Sequence, residues 1–321
     1  MKSAPGQRSF VRVTRRDPCT ICKRPDWCSV ADDGSIAICM RVSDGSVSET
    51  KNGGYLHVLR DHQHPFRHQQ PQANPNAITI GQRHPVYSAL LDLLPLSAKH
   101  ADHLLLERGL SDFAIARNGY ATWPTDEDRR KRICRELSAR FNLEGIPGFY
   151  RQDGEWRMVG RLWAGFLIPS RDARGLITAL SIRLDNPADG KYRWFSSRGA
   201  LSPQPHFVRP WRVNTDREAI LTEGVLKSDI IADLLDCTVI GLPGTAAFSD
   251  DLGEMIRAEL PNVERIAIAY DADFQTKPQV LQQLSRLCVV LLNSGFQVDR
   301  LAWPPEEGKG FDDYLLGRGA R

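Results

Sequence analysis

Two groups of residues in this 321-residue chain have the types and spacing that metal chemistry needs. Four of its seven cysteines, Cys19, Cys22, Cys28 and Cys39, fall within 21 residues as C-x2-C-x5-C-x10-C. Four thiolates satisfy the tetrahedral preference of Zn²⁺ and leave no open position, so the expected role is structural. The second group is acidic. Glu223-Gly224 closes one apolar run, and Asp271-Ala272-Asp273 closes a later one. Carboxylates gathered at one edge repel each other unless a divalent cation offsets them, and Mg²⁺ or Mn²⁺ suits oxygen donors.

The back half must position the acids. Glu218–Thr222, Cys237–Leu242, Val263–Tyr270 and Val298–Trp303 are strand-like runs. Between them, Leu226–Leu235 places Ile230, Ile231, Leu234 and Leu235 on one helical face. Ser249–Leu260 reads as a helix capped by Ser249, and Pro278 starts another that Asn293-Ser294-Gly295 stops. Phe311–Leu316 is a last short helix. Such alternation predicts a parallel sheet with helices on its faces, where ligands bind beyond the carboxyl ends of strands. Glu223, Asp271 and Asp273 all fall at that edge.

The cysteines need a different frame. Asp32-Asp33-Gly34 is a turn signal and Ser35–Cys39 is strand-like, which resembles a zinc ribbon of two hairpins around one ion. Cys28 lies outside a tight C-x2-C knuckle, so His57 is the alternative fourth ligand. Trp27, beside the knuckle, either stacks on a nucleic-acid base or forms the module's small core. Cys134, Cys237 and Cys288 stand singly and read as core residues. Residues 61–85, rich in Gln, His and Pro, read as a flexible linker, with His62, His64 and His68 solvated within it.

From residue 86 the predicted helices are Val86–Leu96, Ala98–Leu106 and Ser111–Arg117. A basic helix follows, with six cations and one acid over Arg129–Arg140. Strands are expected at Phe149–Gln152, Trp156–Gly160, Leu162–Pro169, Leu176–Leu184 and Tyr192–Phe195, placing Arg183 and Lys191 in adjoining strands or turns. The domains are thus 1–60, a zinc-binding module; 61–85, a linker; 86–205, a mixed α+β subdomain; and 206–321, an α/β domain with a parallel sheet.

Charge divides along the same line. Residues 1–205 carry 30 Lys and Arg against 21 Asp and Glu, a balance of +9, and residues 206–321 carry 12 against 18, a balance of −6. A basic front favours polyanions and an acidic back favours cations. The longest apolar run, Leu287–Leu292, is far below the ~20 residues of a membrane helix. The first residues lack a signal-peptide core, so a cytoplasmic protein with reduced thiols is expected.

Glu-Gly after one strand and Asp-x-Asp after a later one resemble the TOPRIM domain shared by topoisomerases and primases. With the cysteine cluster in front, the chain resembles the DNA primases of bacteria, phages and mobile elements. Arg161–Ser170, Gly175, Arg183 and Lys191-Tyr192 are similar to the primase stretch just before that domain. The resemblance implies a nucleotidyltransferase that builds short primers on single-stranded DNA from nucleoside triphosphates, alongside a separate replicative helicase. It implies that Glu223, Asp271 and Asp273 hold catalytic Mg²⁺ or Mn²⁺, with Asp312 or Asp313 as a carboxylate behind them. Arg183 and Lys191 would face the template–nucleotide cleft, with Lys227 and Arg161 as further contacts.

The sequence departs from the family pattern at Lys227, where many primases place an acid. Asp273 is followed by Phe-Gln-Thr-Lys instead of a Gly-bearing turn, and no helicase-contacting tail precedes residue 321. These departures imply a phage- or plasmid-type enzyme. Two other functions use the same residues: a TOPRIM metal-dependent nuclease, and a non-catalytic nucleic-acid-binding replication accessory. A fused helicase is excluded, because no G-x-x-x-x-G-K-[ST] loop occurs.

Overall fold

Short strands dominate the front of the computed structural model, which describes residues 10–14, 17–31, 36–50, 54–59, 78–186, 191–196, 204–210, 217–245, 247–272 and 278–319. The chain divides into two units, Met1–Gln72 and Ala73–Arg321. In the first, β1 (Phe10–Arg12), β2 (Ser29–Ala31), β3 (Ile36–Cys39), β4 (Ser48–Glu49) and β5 (Tyr55–Val58) form one sheet in the order β1-β2-β3-β5-β4. All its pairings are antiparallel. Its core is Cys19, Cys28 and Cys39, with Val13, Ile21, Met40 and Val42 packed against them. So few apolar groups are little to hold a sheet by burial alone, and the four cysteines that could hold a metal lie among them.

The second unit opens with α1 (Ile80–Asp92), whose first six residues fall in the segment expected to be linker. Its start is fixed by a capping box: Gln82 N donates to Thr79 Oγ1 at 3.3 Å, and Thr79 N donates to Gln82 Oε1 at 2.9 Å. Pro85, the last residue of the expected linker, lies within the helix, although it has no N–H to give the helical ladder. Residues 61–77, with His62, His64 and His68, lie outside the described residues. Next come α2 (Ala98–Asp102), a π turn (His103–Glu107), α3 (Asp112–Asn118), β6 (Ala121–Thr122) and α4 (Glu127–Arg140). The predicted helix Ala98–Leu106 is therefore broken in two.

Strands β7 (Phe149–Gln152) and β8 (Glu155–Met158) form a hairpin; β9 (Gly165–Arg171), β10 (Ile177–Leu184) and β11 (Tyr192–Trp194) join β6 in an antiparallel sheet, order β11-β10-β9-β6. Helices α1 and α4 cover it through Leu90, Ile133 and Leu137, against Trp123, Leu167, Ile182 and Phe195.

The remaining elements are β12 (His206–Val208), β13 (Glu218–Glu223), α5 (Val225–Leu235), β14 (Val239–Leu242), α6 (Leu252–Glu259), β15 (Arg265–Ala269), α7 (Pro278–Asn293), β16 (Gln297–Arg300) and α8 (Phe311–Gly319). The second sheet runs β12-β14-β13-β15-β16, parallel throughout except for the antiparallel edge strand β12. Alternate residues serve its two faces. Leu221, Ile240, Ile266 and Ile268 pack with Leu252 and Ile256 of α6 and Leu284, Leu287 and Leu291 of α7. Val239 faces Ile231 of α5, and Ala269 faces Trp303, with Phe311 of α8 packed against both groups. Helix α6 begins at Leu252 with Asp251 before it, whereas Ser249 was the expected cap; the Ser249 hydroxyl donates to the Asp251 carboxylate instead.

A seam joins the two sheets. Leu104, Leu110 and Phe166 pack on Val225, Leu226 and Ile230 of α5. Beneath them the buried Asp229 carboxylate accepts from Tyr120 Oη at 2.6 Å and pairs with His206 Nε2 at 3.1 Å. Arg171 N donates to His206 Nδ1 at 2.8 Å, so the ring carries its proton on Nε2 and donates it to Asp229. One carboxylate thus ties α5 to three segments. No described helix is long and apolar enough to cross a membrane.

The Asp229→Ala change should strand the Tyr120 hydroxyl and the His206 N–H in an apolar seam. We expect a loss of about 3 kcal/mol, read from the urea midpoint of the full chain. An unchanged midpoint would show that the seam rests on apolar packing alone.

Candidate metal centres and active site

In the front unit Cys19 and Cys22 lie on the connection between β1 and β2, Cys28 just precedes β2, and Cys39 ends β3. Their sulfurs lie within 4.8 Å of one another, with Cys22 Sγ and Cys28 Sγ 3.7 Å apart. Four sulfurs each ~2.3 Å from a central ion stand about 3.8 Å apart in a tetrahedron, so the set fits zinc. Met40 N points to Cys28 Sγ and Val42 N to Cys39 Sγ, both at 3.4 Å, and such donors favour thiolates. Burial pushes the Cys28 thiol up to about 12. Burial also opposes ionisation of Cys22, but the Arg24 backbone and neighbouring thiols outweigh it and bring Cys22 down to about 6.

His57 is not part of the cluster. It is buried, and its Nε2 meets the Val42 carbonyl at 2.8 Å. The group that could hold a metal thus contains Cys28 and not His57. Trp27 is 72% exposed, on a backbone with φ of 66°, so it is not the module's core.

The acidic group forms at the carboxyl edge of the parallel sheet. Thr222 pairs with Ala269, so Glu223 and Asp271 follow the ends of adjacent parallel strands at one edge of the sheet. Gly224 then turns β13 directly into α5 with φ of 89°, a value that a side chain would strain. That turn brings Lys227, one helical turn on, back over the edge. Lys227 Nζ donates to Asp271 Oδ1 and stands 3.7 Å from Glu223 Oε1. Lys309 Nζ reaches Asp271 Oδ2 at 3.8 Å, and the Lys309 carbonyl accepts from Ala272 N at 2.9 Å. Asp273 lies outside the described residues.

Asp312 and Asp313 take different places. Asp312 is fully buried and accepts from Arg108, while Asp313 is half-buried, 3.5 Å from Arg108 and 3.2 Å from Gly310 N. Burial raises the Asp312 carboxyl above the usual range against the pull of Arg108 and Lys227. Its Oδ1 has no hydrogen-bond partner among the described residues. Among the described residues only the four thiols lie close enough together to hold a metal by themselves, whereas Glu223, Asp271 and Asp312 all act on Lys227.

Cations face these acids from the other sheet. Arg183 on β10 is paired in register with Tyr192, and Leu184 N donates to the Lys191 carbonyl at 3.0 Å. The Arg183 guanidinium donates to His103 Nε2 in the π turn, and His103 Nδ1 then donates to Glu107 at 2.6 Å. Burial and Arg183 both lower the His103 pKa, keeping the ring an acceptor. Lys191 is held below the usual lysine range by burial, and by Arg183, Arg108 and Lys227. Such crowding of like charge is unfavourable unless an anion enters, so these groups form a ready site for phosphates. Arg161 is exposed and lies 4.0 Å from Glu127 of α4.

Sequence reasoning missed Arg108 and His103. Neither sits in a motif, and only the π turn swings them toward the cleft. It also missed the burial of Asp312, which follows from α8 docking on α5.

Residues 211–321 match a family model described as a domain of unknown function, DUF3854. No curated protein sequence matches the chain. Among solved structures, the Aquifex aeolicus primase (zinc-binding and RNA polymerase domains) is similar, with a TM-score of 0.55 and 19% identity. That match covers 75% of this chain and 61% of the other. A DnaG primase catalytic domain bound to single-stranded DNA gives 0.56 and 18%, over 75% of this chain and 76% of that one. The RNA polymerase domain of Mycobacterium tuberculosis primase DnaG gives 0.57 and 15%, over 75% and 82%. The likeness is one of fold: this chain has the architecture of DnaG-type primase catalytic cores.

Zinc content separates the two candidate fourth ligands. Purified protein carrying Cys28→Ser should lose bound zinc, measured by metal emission spectroscopy, while His57→Gln should keep it. Zinc retained in Cys28→Ser and lost in His57→Gln would reverse the assignment.

Proposed function

We propose that this chain is a DNA primase-like nucleotidyltransferase that makes short primers on single-stranded DNA. The observation that carries the reading is the meeting, on a primase-type fold, of the Glu223–Asp271 edge with the crowded cations Arg108, Arg183 and Lys191. Acids alone suit many metal enzymes. Acids facing a cluster of cations suit transfer of a phosphoryl group that carries a long anionic tail.

The reaction joins a 3′-hydroxyl oxygen to the α-phosphorus of a nucleoside triphosphate and breaks the bond to the β-phosphate, releasing pyrophosphate. Glu223 and Asp271, with Asp273 of the same motif, would hold Mg²⁺ or Mn²⁺, whose chemistry is to acidify the hydroxyl and offset phosphoryl charge. Arg183 and Lys191 orient the triphosphate or template phosphates, and His103 fixes the Arg183 guanidinium from behind. Arg108, bound to Asp312 and Asp313, holds the loop before α8 against the cleft. The zinc module engages single-stranded template, with exposed Trp27 offering a face for base stacking. Arg161, on the exposed turn before β9, adds a peripheral phosphate contact.

Wild-type protein given mixed-sequence single-stranded DNA, labelled nucleotides and Mg²⁺ or Mn²⁺ should yield short labelled products. The Asp271→Asn protein, which keeps the side chain's size and an oxygen to accept from Lys227, should yield none while remaining folded by circular dichroism. Metal-dependent shortening of the DNA without synthesis would favour a nuclease, and binding without either reaction would favour an accessory role.

Binding should also report on the cations. Arg183→Ala and Lys191→Ala should each weaken binding of single-stranded DNA and lower the slope of log affinity against log salt by about 0.7. Unchanged slopes would remove both residues from the phosphate path.

A further inference from the structure

Lys227 sits where a metal ion would be expected. Its ammonium donates to Asp271, lies 3.7 Å from Glu223, and is largely buried. A third acid borders the same space: a Cβ built on Gly310 would lie 3.2 Å from Lys227 Nζ and 2.3 Å from Asp312 Oδ1. Glycine at 310 therefore keeps open the point where the lysine head and the orphaned Asp312 oxygen approach one another. The ammonium is tethered one helical turn from Glu223, so no entropy of capture is needed to place it.

We propose that Lys227 Nζ acts as a resident monocation that fills one cation position of the carboxylate cluster, so that the chain takes up fewer divalent ions than its acids would otherwise hold. The proposal rests on the metal-dependent reading of this edge. A fixed +1 charge within ~4 Å of two carboxylates repels a divalent ion entering beside it and occupies lone pairs that the ion would use. The lysine thus supplies the charge compensation that the buried acids need for folding, independent of metal supply. Divalent ions are left to bind on the open side of Glu223 and Asp271, next to the Arg183 and Lys191 cations.

Manganese binding to the full chain tests this directly, with free Mn²⁺ counted by electron paramagnetic resonance. Thiolate-bound zinc does not interfere, because Mn²⁺ prefers oxygen donors. Lys227→Met and Lys227→Gln keep much of the side chain's volume and remove the charge. Each should bind at least one more Mn²⁺ than wild type, or the same number about tenfold more tightly. Lys227→Arg, which keeps the charge, should stay near wild type. Two neutral variants are used so that misfolding of one, seen by circular dichroism, leaves the other to decide.

Equal stoichiometry and affinity in wild type and a folded neutral variant would mean that the ammonium swings aside for the metal, and the proposal falls. The readout is separate from primer synthesis. A chain that makes no primers but gains Mn²⁺ on neutralising Lys227 keeps this inference and loses the primase reading, whereas an active chain without that gain does the reverse.

Discussion

The second unit depends on an electrostatic balance at one seam. Glu223, Asp271 and Asp312 are brought together by the ends of β13 and β15 and the start of α8, and their mutual repulsion would splay those ends apart. Lys227 of α5, Lys309 of the loop before α8, and Arg108 from the neighbouring subdomain hold them. Breaking such a buried pair from one side leaves an uncompensated charge, which costs far more than the intact pair contributes. The same residues that close the fold therefore define where an anion or a cation is bound.

That balance needs the two sheets held in a fixed relation, and the holding is not itself electrostatic at the rim. It comes from α5, whose Val225, Leu226 and Ile230 pack on Phe166 and Leu104 across the seam. The Asp229–His206–Tyr120 network then fixes the helix against sliding, because each side-chain polar atom in it has a partner at hydrogen-bond distance. Helix α5 thus carries two functions on two faces. Asp229 and Ile230 anchor it, and the largely buried Lys227 serves the acids.

The front unit follows a different logic. Its sheet strands are two to four residues long, and its buried side chains are chiefly cysteines. In a module so poor in apolar core, the four gathered thiols are the largest shared feature, so thiol spacing shapes it as much as strand pattern does. The tight turn at Cys19–Lys23, where Lys23 N donates to the Cys19 carbonyl at 2.8 Å, sets the first two ligands. The β2–β3 pairing then brings Cys28 and Cys39 to meet them.

The strands and helices of the back domain were legible in the sequence because apolar periodicity and Gly or Pro punctuation there agree with one another. Glu223 and Asp271 were legible for the same reason: parallel strands must end at one edge, so acids that follow them must gather. The four thiols announced a metal by number and spacing. What sequence did not determine was partnership at long range. His57 and Cys28 were equal as ligands until β-sheet register turned the histidine ring to the Val42 carbonyl. Trp27 was core or platform until a left-handed backbone placed it in solvent. Pro85 closed the expected linker, yet it lies in a helix that Thr79 and Gln82 start. Arg108 and His103 are unremarkable in the sequence, and a π turn, one residue longer per turn than an α-helix, aims them at the cleft. Residue type and spacing are local and fix which chemistry is present; only packing across the seam, with burial and compensating charge, decided which side chains share it.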